Sequence, residues 1–323
     1  MSLLVVGSIG YDTVITPVGS GKDLLGGSAT YCSIAASNFA NVFLVSVVGN
    51  DFKREHMTLF QNRLVNITGL KIDNIGKTFR WSVRYFDENI NMRETLGTEL
   101  NVLADFKPKL TEEHKQMDFV FLGNMTPDIQ IQTLNQLSVK PSVIGLDTMN
   151  FWIESCKDRL TEAITKVDIV FMNEEEILLY SEGDDLVKSA RSIIDLGPWA
   201  VFAKRGEMGS MMITRNSMFS APAFPIKTVT DPTGAGDCFA GGVMGYLSSK
   251  KDISIATLQT AAIVGSVMGS FAVETLSIEG IQNSSHKKVY NRIDQLLATT
   301  SLRHQKNDIL HSLGFHSNDT GNQ

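Results

Sequence analysis

The chain is poor in the features that would tie it to nucleic acid, zinc or a membrane. Its Lys and Arg form no stripe or block: 29 basic residues are scattered among 35 acidic ones, for a net charge of −6. That balance excludes nucleic acid as a partner. It also means that an anionic ligand must be held by local groups, because the global field is mildly repulsive to it. There are three cysteines, Cys32, Cys156 and Cys238, far apart and without a CxxC pair or a neighbouring His cluster. Such spacing argues against a disulfide framework and a zinc centre, and a reducing, cytoplasmic compartment is the expectation.

Long apolar runs are missing as well. The run Leu3–Val6 stops at Gly7 and has no basic residue before it, so no secretory signal is expected. The most apolar later stretch, roughly 255–273, is broken by Thr257, Gln259, Thr260, Gly265, Ser266, Gly269 and Ser270. It reads as a buried helix rather than a membrane span. No internal repeat or low-complexity linker is present, and residues 301–323 read as a polar tail. Two familiar nucleotide-binding motifs also fail. A dinucleotide fold wants Gly-x-Gly-x-x-Gly after its first strand, where this chain has only Gly7 and Gly10. A P-loop wants Gly-x-x-x-x-Gly-Lys-Ser/Thr, and here Gly21-Lys22 runs into Asp23 without the first glycine.

What is present is a globular pattern, 43% hydrophobic over 323 residues. Short apolar runs at Leu3–Val6, Val42–Val48, Phe119–Leu122, Val143–Leu146, Ile169–Phe171 and Ala200–Ala203 read as buried strands. Helical spacing lies between and after them, at 28–40, 51–64, 128–138, 174–180, 185–196 and 236–247. Continuous apolar strands separated by helices predict an α/β fold with a doubly wound, mostly parallel central sheet flanked by helices. Residues 78–103 break the rhythm: Phe79, Trp81, Val83 and Tyr85 alternate with Arg80, Ser82 and Arg84, then Asp87-Glu88-Asn89 supplies a turn. Together with residues 12–25, this segment predicts a small β-strand lid over the carboxyl edge of the sheet; a surface hairpin of no further role is the alternative.

The sharpest motif is Asp231-Pro232-Thr233-Gly234-Ala235-Gly236-Asp237, running directly into the helical stretch from Cys238. Small residues allow close backbone approach, and a helix start presents unpaired N–H groups and a positive dipole end. That is an anion hole suited to a phosphoryl group in transfer, with Asp237 placed to accept a hydroxyl proton. A first-turn or capping carboxylate is the plainer reading of Asp237.

This motif resembles the C-terminal signature of the ribokinase-like (PfkB) carbohydrate kinase family. The resemblance runs over roughly residues 1–300 through further motifs in order. It implies one kinase domain with a β lid, and ATP-dependent phosphorylation of a hydroxyl on a small sugar or nucleoside. Catalysis would fall to Asp237 as base and to the Gly234, Ala235 and Gly236 turn. Asn173 and Glu176 match the family's Asn-x-x-Glu motif and would hold Mg²⁺, whereas Glu174 and Glu175 read equally as first-turn acids. Lys204, Gly206, Gly209 and Thr233 would lie on the ATP side, although Gly206 and Gly209 also suit a plain hairpin turn. Small residues Ala262, Gly265 and Gly269 would border the adenine.

On the substrate side, the resemblance assigns Asp12 to vicinal hydroxyls and Gly26-Gly27 to close approach and lid hinging. Tyr31 stands where the family commonly has Asn. Asp51 fits a recurring family motif and reads equally as a helix cap. Asp147 and Asn150 follow a strand near the expected site, while Phe151 and Trp152 are read first as core. With Trp81 and Tyr85, these aromatics fit a substrate with an apolar face such as a nucleoside base. A homodimer through the lid is the expected assembly. The alternative to an enzyme is a non-catalytic sugar- or nucleotide-binding protein on the same fold, which would be expected to lose Asp237 or the glycines of the turn.

Overall fold

Leu3-Leu4-Val5-Val6 is apolar at every position because both faces of its strand are covered. Leu3 and Val5 point into one core, and Leu4 and Val6 into another on the opposite face. The same split recurs at Phe119 and Phe121 against Val120 and Leu122, and at Ile169 and Phe171 against Val170 and Met172. Period-two alternation therefore persists, hidden within unbroken hydrophobic runs.

The computed structural model describes residues 2–86 and 92–300. The expected Asp87-Glu88-Asn89 turn and the tail 301–323 lie outside the described residues. In chain order the strands are β1 (Ser2–Val6), β2 (Gly10–Thr16), β3 (Gly19–Gly26), β4 (Asn41–Val48), β5 (Asn66–Ile72), β6 (Phe79–Tyr85), β7 (Arg93–Glu99), β8 (Phe119–Leu122), β9 (Val143–Asp147), β10 (Ile169–Asn173), β11 (Ala200–Lys204), β12 (Ser210–Thr214) and β13 (Met218–Ala221). Nine form one sheet in the order β13-β12-β11-β10-β9-β8-β1-β4-β5. Every neighbouring pair from β11 to β5 is parallel, and β12 and β13 add an antiparallel edge. The sheet is doubly wound, as expected. Helices Ser28–Ala36, Ala235–Ser248 and Ile255–Ala272 cover one face; Pro127–Leu134, Lys157–Ile164, Glu174–Ser181 and Leu186–Ile194 cover the other. Strands β5, β12 and β13 were not expected; β5 is a half-exposed edge carrying Asn66, Thr68 and Lys71, without the apolar run of a buried strand.

Helix Ile255–Ala272 is long and apolar enough to cross a membrane by length and composition, yet 72% of it is buried inside the protein. It packs so closely on Ala235–Ser248 that a Cβ at Gly242 would lie 3.1 Å from Gly265 Cα.

The remaining strands form a second sheet, in the order β3-β2-β6-β7, from the segments expected to make the lid. Val83 and Tyr85 are buried with Val14, beside Leu24, Trp81 and Leu276, as the alternation predicts. Asp51 corrects its helix-cap reading. Its Oδ1 accepts from the N–H and the hydroxyl of Thr78, both at 2.8 Å, and its Oδ2 accepts from Arg80 at 3.0 Å. Helix Arg54–Asn62 starts three residues on, at a Lys53 position without a side-chain cap. The carboxylate instead anchors the foot of the lid.

Candidate active site

Because neighbouring strands are parallel, their carboxyl ends gather on one edge, the edge where such sheets bind ligands. Strands β9, β10 and β11 end side by side on Asp147, Asn173 and Lys204. Lys204 Nζ donates to both carboxylate oxygens of Asp147, each at 2.8 Å. Burial opposes the ammonium charge, but Asp147 and Glu176 outweigh it and hold Lys204 protonated. Assigned to ATP by sequence, Lys204 has a protein partner here. Its neighbour Arg205 is paired with Glu174 at 2.8 Å.

The Asp231–Asp237 turn stands over this edge. Asp231 is fully buried: one oxygen accepts from the Thr233 N–H at 2.9 Å, the other from the Ser277 N–H at 3.0 Å. Gly234, at φ 74°, makes the left-handed start of helix Ala235–Ser248. A side chain there would strain the backbone and overlap the Tyr31 ring, which lies directly against it. The Ala235 N–H turns back to Pro232 O at 3.2 Å. Among the described residues no acceptor takes up the Gly236 N–H, which leaves that amide of the predicted hole open. Asp237 follows in the first turn. Burial and the charge of Asp147 raise its carboxyl to about 7, against the opposing pull of Lys204 and Arg93.

The lid reaches this turn directly, through a 3.0 Å hydrogen bond between the hydroxyls of Tyr85 and Thr233. Thr233, assigned to the ATP side, thus has a lid partner. Asp12 belongs to β2 of the lid sheet, next to Trp81 in register, and is 4% exposed. Burial raises its carboxyl to about 8, with Asp231 and Asp237 adding to the effect. Gly26 faces that carboxylate so closely that any side chain would overlap it, and Gly27 passes hard against the Ser8 carbonyl at φ 97°. Phe151 is not core, being 53% exposed, and Trp152 Nε1 donates to Asn124 Oδ1 at 3.0 Å. Both belong to the short helix Asn150–Ser155, which follows β9 at the open edge of the sheet.

Asn173 and Glu176 form a reciprocal capping box, with each side-chain oxygen accepting from the other's N–H at 2.7 Å. Glu176 is 5% exposed and therefore no solvated surface acid. The box engages one Glu176 oxygen and leaves the second, a hard donor suited to Mg²⁺ either directly or through water. Gly206, at φ 54°, and Gly209, at φ 83°, form the turn of the β11–β12 hairpin, closed by Arg205 N–H to Gly209 O at 2.8 Å. Ala262 is fully buried and Gly265 packs on Phe239, so both belong to the core, while Gly269 approaches Ala235 O.

The sequence profile of the pfkB family carbohydrate kinases matches residues 3–302. The chain belongs to that family. It is 31% identical to the cytidine kinase of Thermococcus kodakarensis over 252 residues, 76% of this chain and 88% of that one. The crystal structure of the Methanocaldococcus jannaschii nucleoside kinase, an archaeal member of the ribokinase family, superposes with TM-score 0.72 at 19% identity, covering 91% of this chain and 98% of that one. Aminoimidazole riboside kinase from Salmonella enterica, solved with aminoimidazole riboside and an ATP analog, gives TM-score 0.72 at 18% identity, covering 91% and 100%. The fold is ribokinase-like, and the chain is a carbohydrate or nucleoside kinase.

Three parts of this candidate site escape sequence reasoning. Arg93 lies opposite Tyr85 in the β6–β7 register, and its charge reaches Asp237, Asp147 and Glu176. Ser277 secures Asp231 from 46 residues away. Asn124 sits at the end of β8, its amide oriented by Trp152. Period-two alternation in the hairpin is the one signal that could have found Arg93.

Proposed function

We propose that this kinase transfers the γ-phosphoryl group of ATP to a hydroxyl of a neutral polyhydroxylated substrate, most specifically a nucleoside, with Asp237 as general base. The observation that carries the reading is the placement of Asp237 at a glycine-rich helix start, beside the open Gly236 N–H, with its proton affinity raised to about 7. A base of that strength accepts a hydroxyl proton at neutral pH. The acceptor O–H gives its proton to Asp237 as its oxygen bonds to Pγ. The bond from Pγ to the bridging oxygen breaks, and that electron pair leaves on ADP. Gly234, Ala235 and Gly236 shape the anion hole, and the Gly236 amide donates to the transferring group.

Asp12, with Gly26 and Gly27 giving room, accepts hydrogen bonds from substrate hydroxyls. A sugar phosphate would add its charge to the repulsion that Asp231 and Asp237 already exert on Asp12, which disfavours such acceptors. The relation to a cytidine kinase and the aromatic groups Trp81, Tyr85 and Trp152 favour a base-bearing substrate. Gly206 and Gly209 border the nucleotide, and Thr233 joins lid to turn. Lys204 acts by holding Asp147 rather than as a free phosphate ligand. Asn173 and Glu176 would hold Mg²⁺, which when bound neutralises phosphate charge. The fully exposed edge strand β7 makes the lid the surface for a homodimer, which sedimentation tests.

An ATP-consumption screen with Mg²⁺ over pentoses, hexoses, sugar phosphates and nucleosides tests the reading. Turnover is expected on a nucleoside and not on sugar phosphates, with loss in Asp237→Asn. Full turnover in that variant would remove Asp237 from the reaction.

A further inference from the structure

We propose that Arg93 is a catalytic residue of the lid: its guanidinium donates to the oxygens of the transferring phosphoryl group and completes the charge neutralisation there. The inference rests on the kinase reading above and adds to it a residue on the element that covers the substrate.

Phosphoryl transfer needs little from a protein beyond positioning and the neutralisation of charge on the transferring oxygens. The edge of the sheet is acidic: Asp12, Asp147, Glu176, Asp231 and Asp237 stand within mutual influence. A nucleoside triphosphate entering it meets few free cations. Lys204 is bound to both oxygens of Asp147 at 2.8 Å, and Arg205 is paired with Glu174. In the lid, Arg80 is held by Asp23 and Asp51, and Arg84 by Glu94. None of the ion pairs among the described residues uses Arg93, whose side chain is hydrogen-bonded to the neutral Tyr85 hydroxyl instead.

Its position suits the task. Arg93 opens β7 directly across from Tyr85, and the Tyr85 hydroxyl lies 3.0 Å from Thr233 Oγ1 in the anion-hole turn. The guanidinium carbon stands 5.8 Å from the Trp81 ring centroid, so the inner aromatic of the lid steadies the cation. From there its charge acts on Asp147, Asp237 and Glu176, which belong to three other elements of the site. A planar fork of donors matches phosphoryl oxygens in a way that an ammonium does not. Since Arg93 rides on the lid, the cation arrives only when the lid is seated over an acceptor. Transfer to water without acceptor is thereby kept slow.

The test compares the wild-type chain with Arg93→Gln and Arg93→Lys, and with Arg84→Gln as a control from the opposite face of the same hairpin. Two quantities are read: steady-state kinetics, and calorimetric binding of ADP with aluminium fluoride in the presence of Mg²⁺ and acceptor. Arg93→Gln is expected to lower kcat by about 10²–10³ while KM for ATP and acceptor stays within about threefold, the pattern of a contact made in the transition state. It is also expected to lose the tighter binding of ADP with aluminium fluoride over ADP alone. Arg93→Lys should recover part of both, and Arg84→Gln should match the wild type. A raised KM with unchanged kcat would make Arg93 a ground-state substrate contact and overturn the proposal. Equal losses in Arg84→Gln would also overturn it, by assigning the effect to lid folding. An active wild type with a fully active Arg93→Gln sinks this inference alone. A wild type inactive on every acceptor sinks the kinase mechanism and this inference together.

Discussion

Lys204 Nζ lies 2.8 Å from both oxygens of Asp147, and the two side chains are 17% and 4% exposed. The pair joins the last residues of β9 and β11 across the end of β10, within electrostatic reach of Glu176 and Asp237. Desolvation of two charges offsets much of their attraction, so an intact pair this deep adds little net stability. Removing one partner strands the other charge in the interior.

Lys204→Met leaves Asp147 buried without its counterion, and a loss of about 3–5 kcal/mol in unfolding free energy is expected. The double variant Lys204→Met/Asp147→Leu should recover much of that loss. Urea unfolding of the three chains measures it; equal stability of the single and double variants would show that the pair is not coupled. Loss of the ammonium also raises the proton affinity of Asp237 further, so any surviving activity should require higher pH.

Gly234 and Tyr31 make a second coupled pair. Gly234→Ala places a methyl group where the ring lies and holds a non-glycine residue at φ 74°. The left-handed backbone alone costs about 1–2 kcal/mol. Displacement of the turn should also lower kcat, because the Gly236 amide moves with it. Tyr31→Ala would make room for the methyl, but Tyr31 is 1% exposed and its truncation opens a cavity, so the double variant should lose less than the sum of the two single losses rather than regain wild-type stability. Thermal unfolding and turnover on the same preparations distinguish the two contributions.

Which of these relationships the sequence carried depends on how each is built. The buried strands were legible because residues such as Leu3–Val6 must satisfy two cores at once, and only unbroken apolar runs do so. The lid was legible from the alternation at Phe79, Trp81, Val83 and Tyr85. The 231–237 turn stood out because left-handed backbone and close ring contact both demand glycine at 234. The Asp147–Lys204 pair was hidden by its 57-residue separation, since each residue taken alone resembles a ligand contact. Arg93 was hidden because hairpin register depends on the turn, and a shift of one residue would send its side chain to the other face. Asp51 looked like a helix cap from its position before the helix, but its partners Thr78 and Arg80 come from the lid.

His114 gives a stability prediction independent of the site. It is fully buried; its Nδ1 accepts from the Thr111 N–H at 3.4 Å, and its Nε2 has no partner among the described residues. Burial pushes its pKa below the ordinary value of 6.5, with Glu113 partly opposing. The unfolded chain therefore binds the proton more readily than the fold does. The stability linked to His114 is complete above about pH 6.5 and is lost as pH falls toward the lowered folded pKa. His114→Gln removes this group, so the urea midpoint of the variant should fall less than that of the wild type between pH 7.5 and 5.5. Parallel curves would show that His114 is not the titrating group.

Asp237 carries the sharpest prediction, because activity and stability should move in opposite directions. As the base it must be ionised, and its carboxyl is raised to about 7 by burial and by Asp147. The free-enzyme profile of kcat/KM should therefore fall about tenfold per pH unit below about 7. Asp237→Asn should lower kcat by about 10²–10⁴ and abolish that limb. The sign for stability is the reverse. A carboxyl with a folded pKa above its unfolded value near 3.9 stabilises the fold only while protonated, and that contribution is lost as pH rises through about 7. Asn cannot ionise, so the variant should unfold at higher urea than the wild type at pH 8, with the gap closing toward pH 5. A variant that is slower but no more stable at pH 8 would mean that the charge on Asp237 is already compensated in the resting enzyme, leaving proton acceptance as its only measurable contribution.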